Sequence, residues 1–270
     1  MDFPRSGLLA ARLEILDECG STNTELVRRA SSTHGDEWPD LSVLATLNQT
    51  EGRGRLGRVW VAPAGRAIAI SVLLRPRLPA GEPLGLENYG WFPLIAGVAM
   101  TRAVAALVPD HSVTLKWPND VQVDGRKVSG LLAELLPSQD AVVIGAGLNL
   151  AFEEHELPTP TSTSLSLLGA SAALPELADV ALAGFLGELV PLYAEFLRLG
   201  ADPEGSGVAE AVSELCSTLG QQVKVQLPGG DVLVGTATEI DRTGRLVVTR
   251  STDGRVMAVA AGDVTHLRYE

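Results

Sequence analysis

The sequence predicts an α+β fold: a mixed β-sheet with helices on one face, followed by a small C-terminal β-barrel of the SH3-like kind. Three observations support this prediction. In residues 1–150, short apolar runs typical of strands alternate with helical patterns and turn sequences. A long helical pattern follows at residues 175–199. Beyond it, the chain contains short strand-like runs separated mostly by Gly-containing turns. We therefore expect a large domain at residues 1–216 and a small one at residues 217–270.

The individual elements follow from the spacing of apolar residues. Buried strands are predicted where Val, Ile and Leu follow one another closely, at residues 42–47, 67–74, 113–117, 128–136 and 142–150. Helices are predicted where apolar residues recur every three or four positions, at residues 91–107, 175–199 and 209–215. Five C-terminal strands are predicted at residues 223–227, 232–238, 246–250, 256–259 and 264–267. Strands joined both by hairpin-type turns and by helices indicate a mixed sheet.

The composition is that of an ordinary globular protein, with 46% hydrophobic and 20% charged residues. No apolar run approaches the roughly 18 residues that a membrane-spanning helix needs, and the N-terminus is too weakly apolar for a secretory signal. The two cysteines, Cys19 and Cys216, follow no metal-ligand spacing. These features predict a reduced, cytoplasmic protein without a membrane partner.

The distribution of charge indicates the kind of ligand. A net charge of −12 argues against a general binder of nucleic acid or of anionic membranes. Most of the acidity lies in residues 151–216, where Arg198 is the single basic residue beside eleven acidic ones. Arg53, Arg55 and Arg58, in contrast, lie close together. We expect an acidic protein with such a local basic cluster to direct it at a small anion.

The segment Gly-Arg-Gly-Arg-Leu-Gly-Arg, at residues 52–58, is the strongest single motif. Glycine lets the backbone turn sharply and approach a ligand closely, and exposed N–H groups in such a turn bind anions. The arginine fork matches the oxygens of phosphate and carboxylate groups. The segment is therefore predicted to be an anion-binding loop. A solvated basic loop is the alternative, and the spacing fits neither a P-loop nor a dinucleotide-binding motif.

Lys116-Trp117-Pro118-Asn119-Asp120 places a lysine and a turn at the end of an apolar strand. Burying a lysine in that position costs free energy unless its ammonium group meets an anion or extends to solvent. Both possibilities remain open. Downstream, Lys127-Val128-Ser129-Gly130 and Gly145-Ala146-Gly147-Leu148-Asn149 place glycines within predicted strands. Such glycines mark either a close approach of a ligand or a β-bulge.

Ser21-Thr22-Asn23 precedes Glu25 and an apolar residue, which is the pattern of a helix N-terminus. A capping role accounts for these residues by itself. Their hydroxyl and amide groups also suit a neutral polar ring such as a urea.

Taken together in this order, the motifs resemble those of the biotin protein ligases. The resemblance rests on Ser-Thr-Asn at 21–23, Gln49 with the Gly-Arg segment and Trp60, Lys-Trp-Pro-Asn-Asp at 116–120, Lys127 with Gly130, and Gly-x-Gly-x-Asn at 145–149. It extends over residues 12–268 and includes the small C-terminal barrel. It implies a catalytic domain like that of class II aminoacyl-tRNA synthetases and of biotin and lipoyl ligases.

The resemblance also implies roles for individual residues. Ser21, Thr22, Asn23 and Gln49 match positions that hydrogen-bond the fused ureido ring of biotin. Lys116 matches a lysine that contacts the biotin carboxylate and the activated phosphate, and it is expected to be catalytic together with Arg53. The full biotin-binding set adds Gly52, Gly54, Arg55, Gly130 and Gly147. The set for ATP or the adenylate is Arg53, Arg55, Arg58, Trp60, Lys116, Asn119, Lys127 and Asn149.

The implied reaction uses ATP, biotin and Mg²⁺ to form biotinyl-5′-adenylate, and then transfers biotin to a lysine of a carrier protein. The expected acceptor is the biotin carboxyl carrier protein or domain of an acyl-CoA carboxylase. A carboxylate has to meet a phosphate, so Lys116 and Arg53 would offset the repulsion between two anions. Asp120 and Glu134 are the candidate magnesium ligands.

Some members of this family carry an N-terminal DNA-binding module of about 60 residues, and too few residues precede Ser21 for it here. We therefore expect a monofunctional enzyme without a nucleic-acid partner. Two alternatives remain: a lipoate ligase with the same fold and adenylate chemistry, and a non-catalytic biotin or nucleotide sensor.

Overall fold

A computed structural model describes residues 2–60, 62–227, 230–260 and 262–267, apart from the Asp263 side chain. Its larger sheet has seven strands in the order β1-β2-β5-β9-β8-β7-β6. Their bounds are β1 Arg12–Leu16, β2 Ser42–Thr46, β5 Ala67–Leu74, β6 Val113–Lys116, β7 Asp120–Val123, β8 Arg126–Leu135 and β9 Val142–Asn149. The pair β1–β2 is parallel and every other pair is antiparallel. The predicted mixed sheet is therefore confirmed.

Among the residues that the structure describes, four α-helices accompany the sheet. They are α1 Thr22–Ala30, α2 Trp91–Leu107, α3 Leu174–Arg198 and α4 Val208–Leu215. On β9, Ile144 and Ala146 belong to the large core shared with α2 and α3, whereas Val143 packs with Leu26 of α1. Because neighbouring strand residues point to opposite faces, α2 and α3 cover one face and the short α1 lies on the other. The predicted helices on one face are thus α2 and α3, and the short α1 is an addition on the opposite face.

Five short strands form a second, antiparallel sheet in the order β13-β12-β11-β10-β14. Their bounds are β10 Gln222–Gln226, β11 Val232–Ile240, β12 Leu246–Arg250, β13 Val256–Val259 and β14 Asp263–His266. All five lie within one or two residues of their predicted positions. This sheet packs on the first part of the chain, where the Trp91 indole N–H donates to the carbonyl of Arg242 at 2.8 Å. Also, the Trp117 amide donates to Thr218 Oγ1 at 3.0 Å.

Three strand regions were not predicted. β1 is a partly exposed edge strand whose Arg12 and Glu14 interrupt the apolar run. β7 begins at Asp120, which the sequence analysis assigned to a turn. The third region is a pair of two-residue strands, β3 Gly52–Arg53 and β4 Val59–Trp60, inside the segment predicted as a loop. Short or polar strands carry too few apolar residues to stand out in a sequence.

Two helical segments, Leu86–Leu107 and Leu174–Arg198, are long and apolar enough to cross a membrane by length and composition alone. The expectation that no apolar run approaches that length is therefore wrong. Both segments pack against each other and contribute buried side chains such as Phe92 and Phe185 to the core. Leu86–Leu107 is mostly buried, and a helix covered on several sides is apolar around much of its circumference. Less than half of the most apolar part of Leu174–Arg198 is buried.

Candidate functional site

A cavity of about 370 Å³ opens on the face of the sheet that carries α1. Its volume lies within the range of small-molecule sites. The N-terminus of α1, strands β8 and β9, the β3–β4 segment and residues 158–162 surround it. Most of the site residues expected from the sequence line it: Ser21, Thr22, Asn23, Gln49, Arg53, Gly54, Arg55, Arg58, Trp60, Asn119, Lys127, Gly130, Gly147 and Asn149. Gly52 and Lys116 do not.

An uncharged polar cluster forms one wall at the start of α1. Ser21 is the N-cap, and its hydroxyl accepts from the Thr24 amide at 3.4 Å. Gln49 Oε1 accepts from the Thr22 amide at 2.9 Å and from its hydroxyl at 3.1 Å. The predicted capping role of Ser21 is therefore confirmed, and Gln49 is joined to the same helix start.

Asn23 lies deeper in the same wall and is 5% exposed. Its Nδ2 donates to Glu134 Oε2 at 2.8 Å and to the Leu132 carbonyl at 3.2 Å, and its Oδ1 lies 2.6 Å from the Ser71 hydroxyl. A Cβ atom at Gly145 would lie 2.8 Å from Asn23 Cγ. The glycine at 145 thus allows Asn23 to lie directly on the sheet. Sequence reasoning missed Ser71 because it is a single serine within an apolar strand.

The Gly-Arg segment is held above the sheet as a small hairpin. Gly52 pairs with Trp60, and Arg53 pairs with Val59. The indole of Trp60 lies over Gly147, where a Cβ atom would come within 2.7 Å of the ring. Residue 147 is a glycine because the Trp60 side chain, which belongs to the hairpin, lies directly against it.

The arginines of the hairpin reach different parts of the site. Arg53 Nη2 donates to Thr24 Oγ1 at 2.8 Å and to both oxygens of Glu134 at 2.9 and 3.0 Å. Arg55 donates to Asn119 Oδ1 at 3.0 Å and to the Gly262 carbonyl at 3.4 Å. Burial lowers the pKa of the Arg55 guanidinium, although the nearby Asp120 carboxylate raises it.

Lys127 and Asp120 face the cavity together, with Lys127 Nζ 2.7 Å from Asp120 Oδ1. A Cβ atom at Gly130 would lie 2.8 Å from the same Nζ, so this glycine makes room for the lysine. Lys116 is paired with Asp120 across β6 and β7, so its side chain lies on the same face of the sheet as Asp120, which lines the cavity. Burial lowers the pKa of Lys116, Asp120 raises it, and the charges of Lys127 and Arg58 lower it further.

A hydroxyl-rich segment closes one side of the cavity and was not predicted. Pro158, Thr159, Thr161 and Ser162 line it. The Lys127 amide donates to the Thr161 carbonyl at 2.8 Å, and Asn149 Nδ2 donates to the Thr163 carbonyl at 2.9 Å. Asn149 therefore anchors this segment. The run of Thr, Ser and Pro at 158–164 was the available signal, but it reads equally as an ordinary loop.

Within the part of the chain that the structure describes, no group of three or more His, Cys, Asp or Glu side chains could hold a metal ion. The two candidate magnesium ligands are also engaged with cations. Asp120 pairs with Lys127, and Glu134 pairs with Arg53. A magnesium ion bound mainly by protein carboxylates is not what this arrangement offers.

Two family models match the chain. The Biotin/lipoate A/B protein ligase family matches residues 19–149, and the Biotin protein ligase C terminal domain matches residues 218–267. The chain is 39% identical to the biotin--[acetyl-CoA-carboxylase] ligase of Mycobacterium tuberculosis, over 95% of this chain and 90% of that protein. It is 29% identical to the bifunctional ligase/repressor BirA of Escherichia coli, over 93% of this chain and 73% of that protein.

Solved structures show the same fold. The biotin protein ligase of Aquifex aeolicus in complex with biotin and ATP superposes with a TM-score of 0.69 at 25% identity, covering 96% of this chain and 100% of that one. The biotin protein ligase of Leishmania major in complex with biotinyl-5-AMP superposes with a TM-score of 0.60 at 25% identity, covering 93% and 99%. The extent and identity of these matches show that the chain belongs to the biotin protein ligase family.

Proposed function

We propose that this chain activates biotin with ATP and then transfers it to a lysine of a carrier protein. In the first step, the biotin carboxylate attacks the α-phosphate of ATP, and pyrophosphate leaves. In the second, the lysine amine attacks the acyl carbon of biotinyl-5′-adenylate, an amide forms, and AMP leaves. Both steps need positioning and charge stabilisation rather than a protein nucleophile.

The observation that carries this proposal is the combination of groups in one cavity. The neutral donors and acceptors of Thr22, Asn23 and Gln49 suit a ureido ring, which carries no charge. Arg53 and Lys127 line the same cavity and suit a carboxylate and a phosphate. A neutral polar wall beside a cationic one matches a substrate with a urea at one end and an acid at the other.

The remaining roles follow from position. Ser21 completes the ureido wall, and Gly130 and Gly147, which line the cavity beneath Lys127 and Trp60, are proposed to contact biotin beside those side chains. Lys116 and Lys127 are both proposed as cations that contact the reacting groups. Lys127 lines the cavity, and Lys116 is the cross-strand partner of Asp120, which also lines it, so the Lys116 side chain lies on the cavity face of the sheet. Lys116 is proposed as the catalytic lysine together with Arg53. The adenylate would be bound by Arg53, Arg55, Arg58, Trp60, Lys116, Asn119, Lys127 and Asn149.

Magnesium is proposed to arrive with ATP and to neutralise phosphate charge. Mg²⁺ in nucleotide sites commonly uses one or two carboxylates together with phosphate oxygens and water. Of the two candidates, Asp120 fits this role better, because it lines the cavity and only one of its oxygens is paired with Lys127 at 2.7 Å. Glu134 fits it less well, because Asn23 and Arg53 already occupy its oxygens.

The acceptor is proposed to be the biotin carboxyl carrier protein or domain of an acyl-CoA carboxylase. The name of the Mycobacterium tuberculosis relative supports this choice. A cytoplasmic location is proposed from the two cysteines, which are both buried and free. The net charge of −12 supports the absence of a nucleic-acid partner. A division into residues 1–216 and 217–270 is proposed from the matched C-terminal family model, which begins at residue 218.

The test is isotope exchange between pyrophosphate and ATP in the purified protein. We expect exchange that depends on added biotin, since adenylate formation is reversible. Lipoate is the comparison substrate, because the matched family includes lipoate ligases. Exchange with lipoate but not with biotin would refute the proposed substrate. Binding of biotin and ATP without exchange would instead indicate the non-catalytic sensor.

A further inference from the structure

Glu134, on β8, connects the two walls of the cavity through one carboxylate. Its Oε2 accepts from Asn23 Nδ2 at 2.8 Å, and both its oxygens accept from Arg53 Nη2 at 2.9 and 3.0 Å. Resting on the proposed function above, we propose that Glu134 is a positioning residue for biotin activation. It sets the orientation of the Asn23 amide and holds Arg53 beside the cavity.

The contact with Asn23 decides which end of the amide faces the site. An ionised carboxylate only accepts hydrogen bonds, so it must face the NH₂ group of Asn23. Nδ2 therefore points to Glu134 and to the Leu132 carbonyl, and Oδ1 points to the Ser71 hydroxyl at 2.6 Å. The Leu132 carbonyl also only accepts, so the two acceptors hold the same end of the amide, and Glu134 supplies the shorter, charge-assisted hydrogen bond.

The contact with Arg53 places a flexible cation. Arg53 lies on a two-residue strand, and its side chain is 50% exposed, so little packing restrains it. Glu134 is 26% exposed and belongs to the rigid sheet. An ion pair this exposed adds little to folding stability. Its main effect is therefore to fix the position of the Arg53 side chain. Ordering the arginine before the substrate arrives reduces the entropy lost on binding.

The ion pair between Glu134 and Arg53 also keeps the cavity suited to anionic ligands. Alone, the Glu134 carboxylate would repel the biotin carboxylate and the ATP phosphates. Arg53 cancels this charge at hydrogen-bond distance. The two residues therefore act as a unit, and removing Arg53 leaves a harmful carboxylate behind. This dependence is a property that a merely structural glutamate would not show.

The test is a double-mutant cycle on biotin-dependent pyrophosphate exchange, using Glu134→Gln, Arg53→Ala and the double variant. Glutamine keeps an acceptor for Asn23 but loses the charge that holds Arg53. We expect Glu134→Gln to lower kcat by about 10-fold to 100-fold. Its Kd for biotin, measured without ATP, should stay within about threefold of wild type, since the Asn23 contact survives. The double variant should be no slower than Arg53→Ala alone.

The matched control is Glu188→Gln, which removes the carboxylate of an ion pair with Arg102 between α2 and α3. Its exchange rate should equal that of wild type. Multiplicative losses in the double variant, or wild-type kcat in Glu134→Gln, would overturn the positioning role. A failure of the wild-type protein to catalyse exchange would refute the proposed function instead, so the two failures are distinguishable. Circular dichroism on each variant separates these outcomes from misfolding.

Discussion

Replacing Lys127 with methionine should slow biotin-dependent pyrophosphate exchange by about 30-fold. Two unit charges about 4 Å apart interact by about 4 kcal/mol at an effective dielectric constant of 20. The Lys127 side chain is 40% exposed, so solvent reduces this interaction, and we take about 2 kcal/mol as what the reacting anions lose. Because 1.4 kcal/mol corresponds to a factor of ten in rate, the loss is about 30-fold.

Lys116→Met is the companion variant, because Lys116 belongs to the same charge cluster and lies on the cavity face of the sheet. Burial of its ammonium group reduces screening by solvent, so we expect a loss at least as large as in Lys127→Met. Methionine keeps the length of the buried stem, and the fold should survive. Initial exchange rates at saturating ATP and biotin measure the contribution of each lysine. A wild-type rate in Lys116→Met would refute its role at the reacting groups.

Four further predictions concern binding and stability. Gly145→Ala should weaken biotin binding at least about tenfold by calorimetry, because the new Cβ would displace Asn23. Gly187→Ala, on α3 with nothing within 4 Å, should instead raise stability by up to about 1 kcal/mol. Biotin at about 100 times its Kd should raise stability by about 2.7 kcal/mol and Tm by about 5–10 °C, whereas lipoate should leave Tm unchanged. The hydrogen bond from Arg28 lowers the pKa of Glu25 to about 2. A depressed carboxyl pKa stabilises the fold above the unfolded value of about 4.3, and the effect disappears as pH falls toward 2. Glu25→Gln should therefore destabilise the protein by about 1 kcal/mol in urea at pH 7 and by about half as much at pH 3, and an equal difference at both values would exclude this mechanism.

Much of the local structure was predictable. Strand 67–74 and helix 91–107 have the predicted bounds, because backbone preference and apolar periodicity act over a few residues. The N-cap at Ser21 follows from the same short-range physics. The order and type of the motifs were enough to predict the family and the groups that form the cavity.

Contacts between residues that are far apart in sequence depended on the tertiary structure. Glu134 and Arg53 lie 81 positions apart, and Arg55 and Gly262 lie 207 apart. Such contacts depend on strand register and on the path of the loops, which no short window of sequence contains. The same reason applies to the lysines: both stand in matching motifs, and the pairing of β6 with β7 brings Lys116 beside Asp120 at the cavity.

The sequence by itself thus determined the chemistry available, namely neutral polar groups, arginines on glycine-rich backbone and two lysines. Only the tertiary structure decided which of these groups share a cavity. It also decided that Glu134 is engaged by Asn23 and Arg53 and that glycines 130, 145 and 147 make room for side chains of the protein itself. The sequence specifies the residue types directly. The side chains come close together only when the strands pair and the helices pack on the sheet.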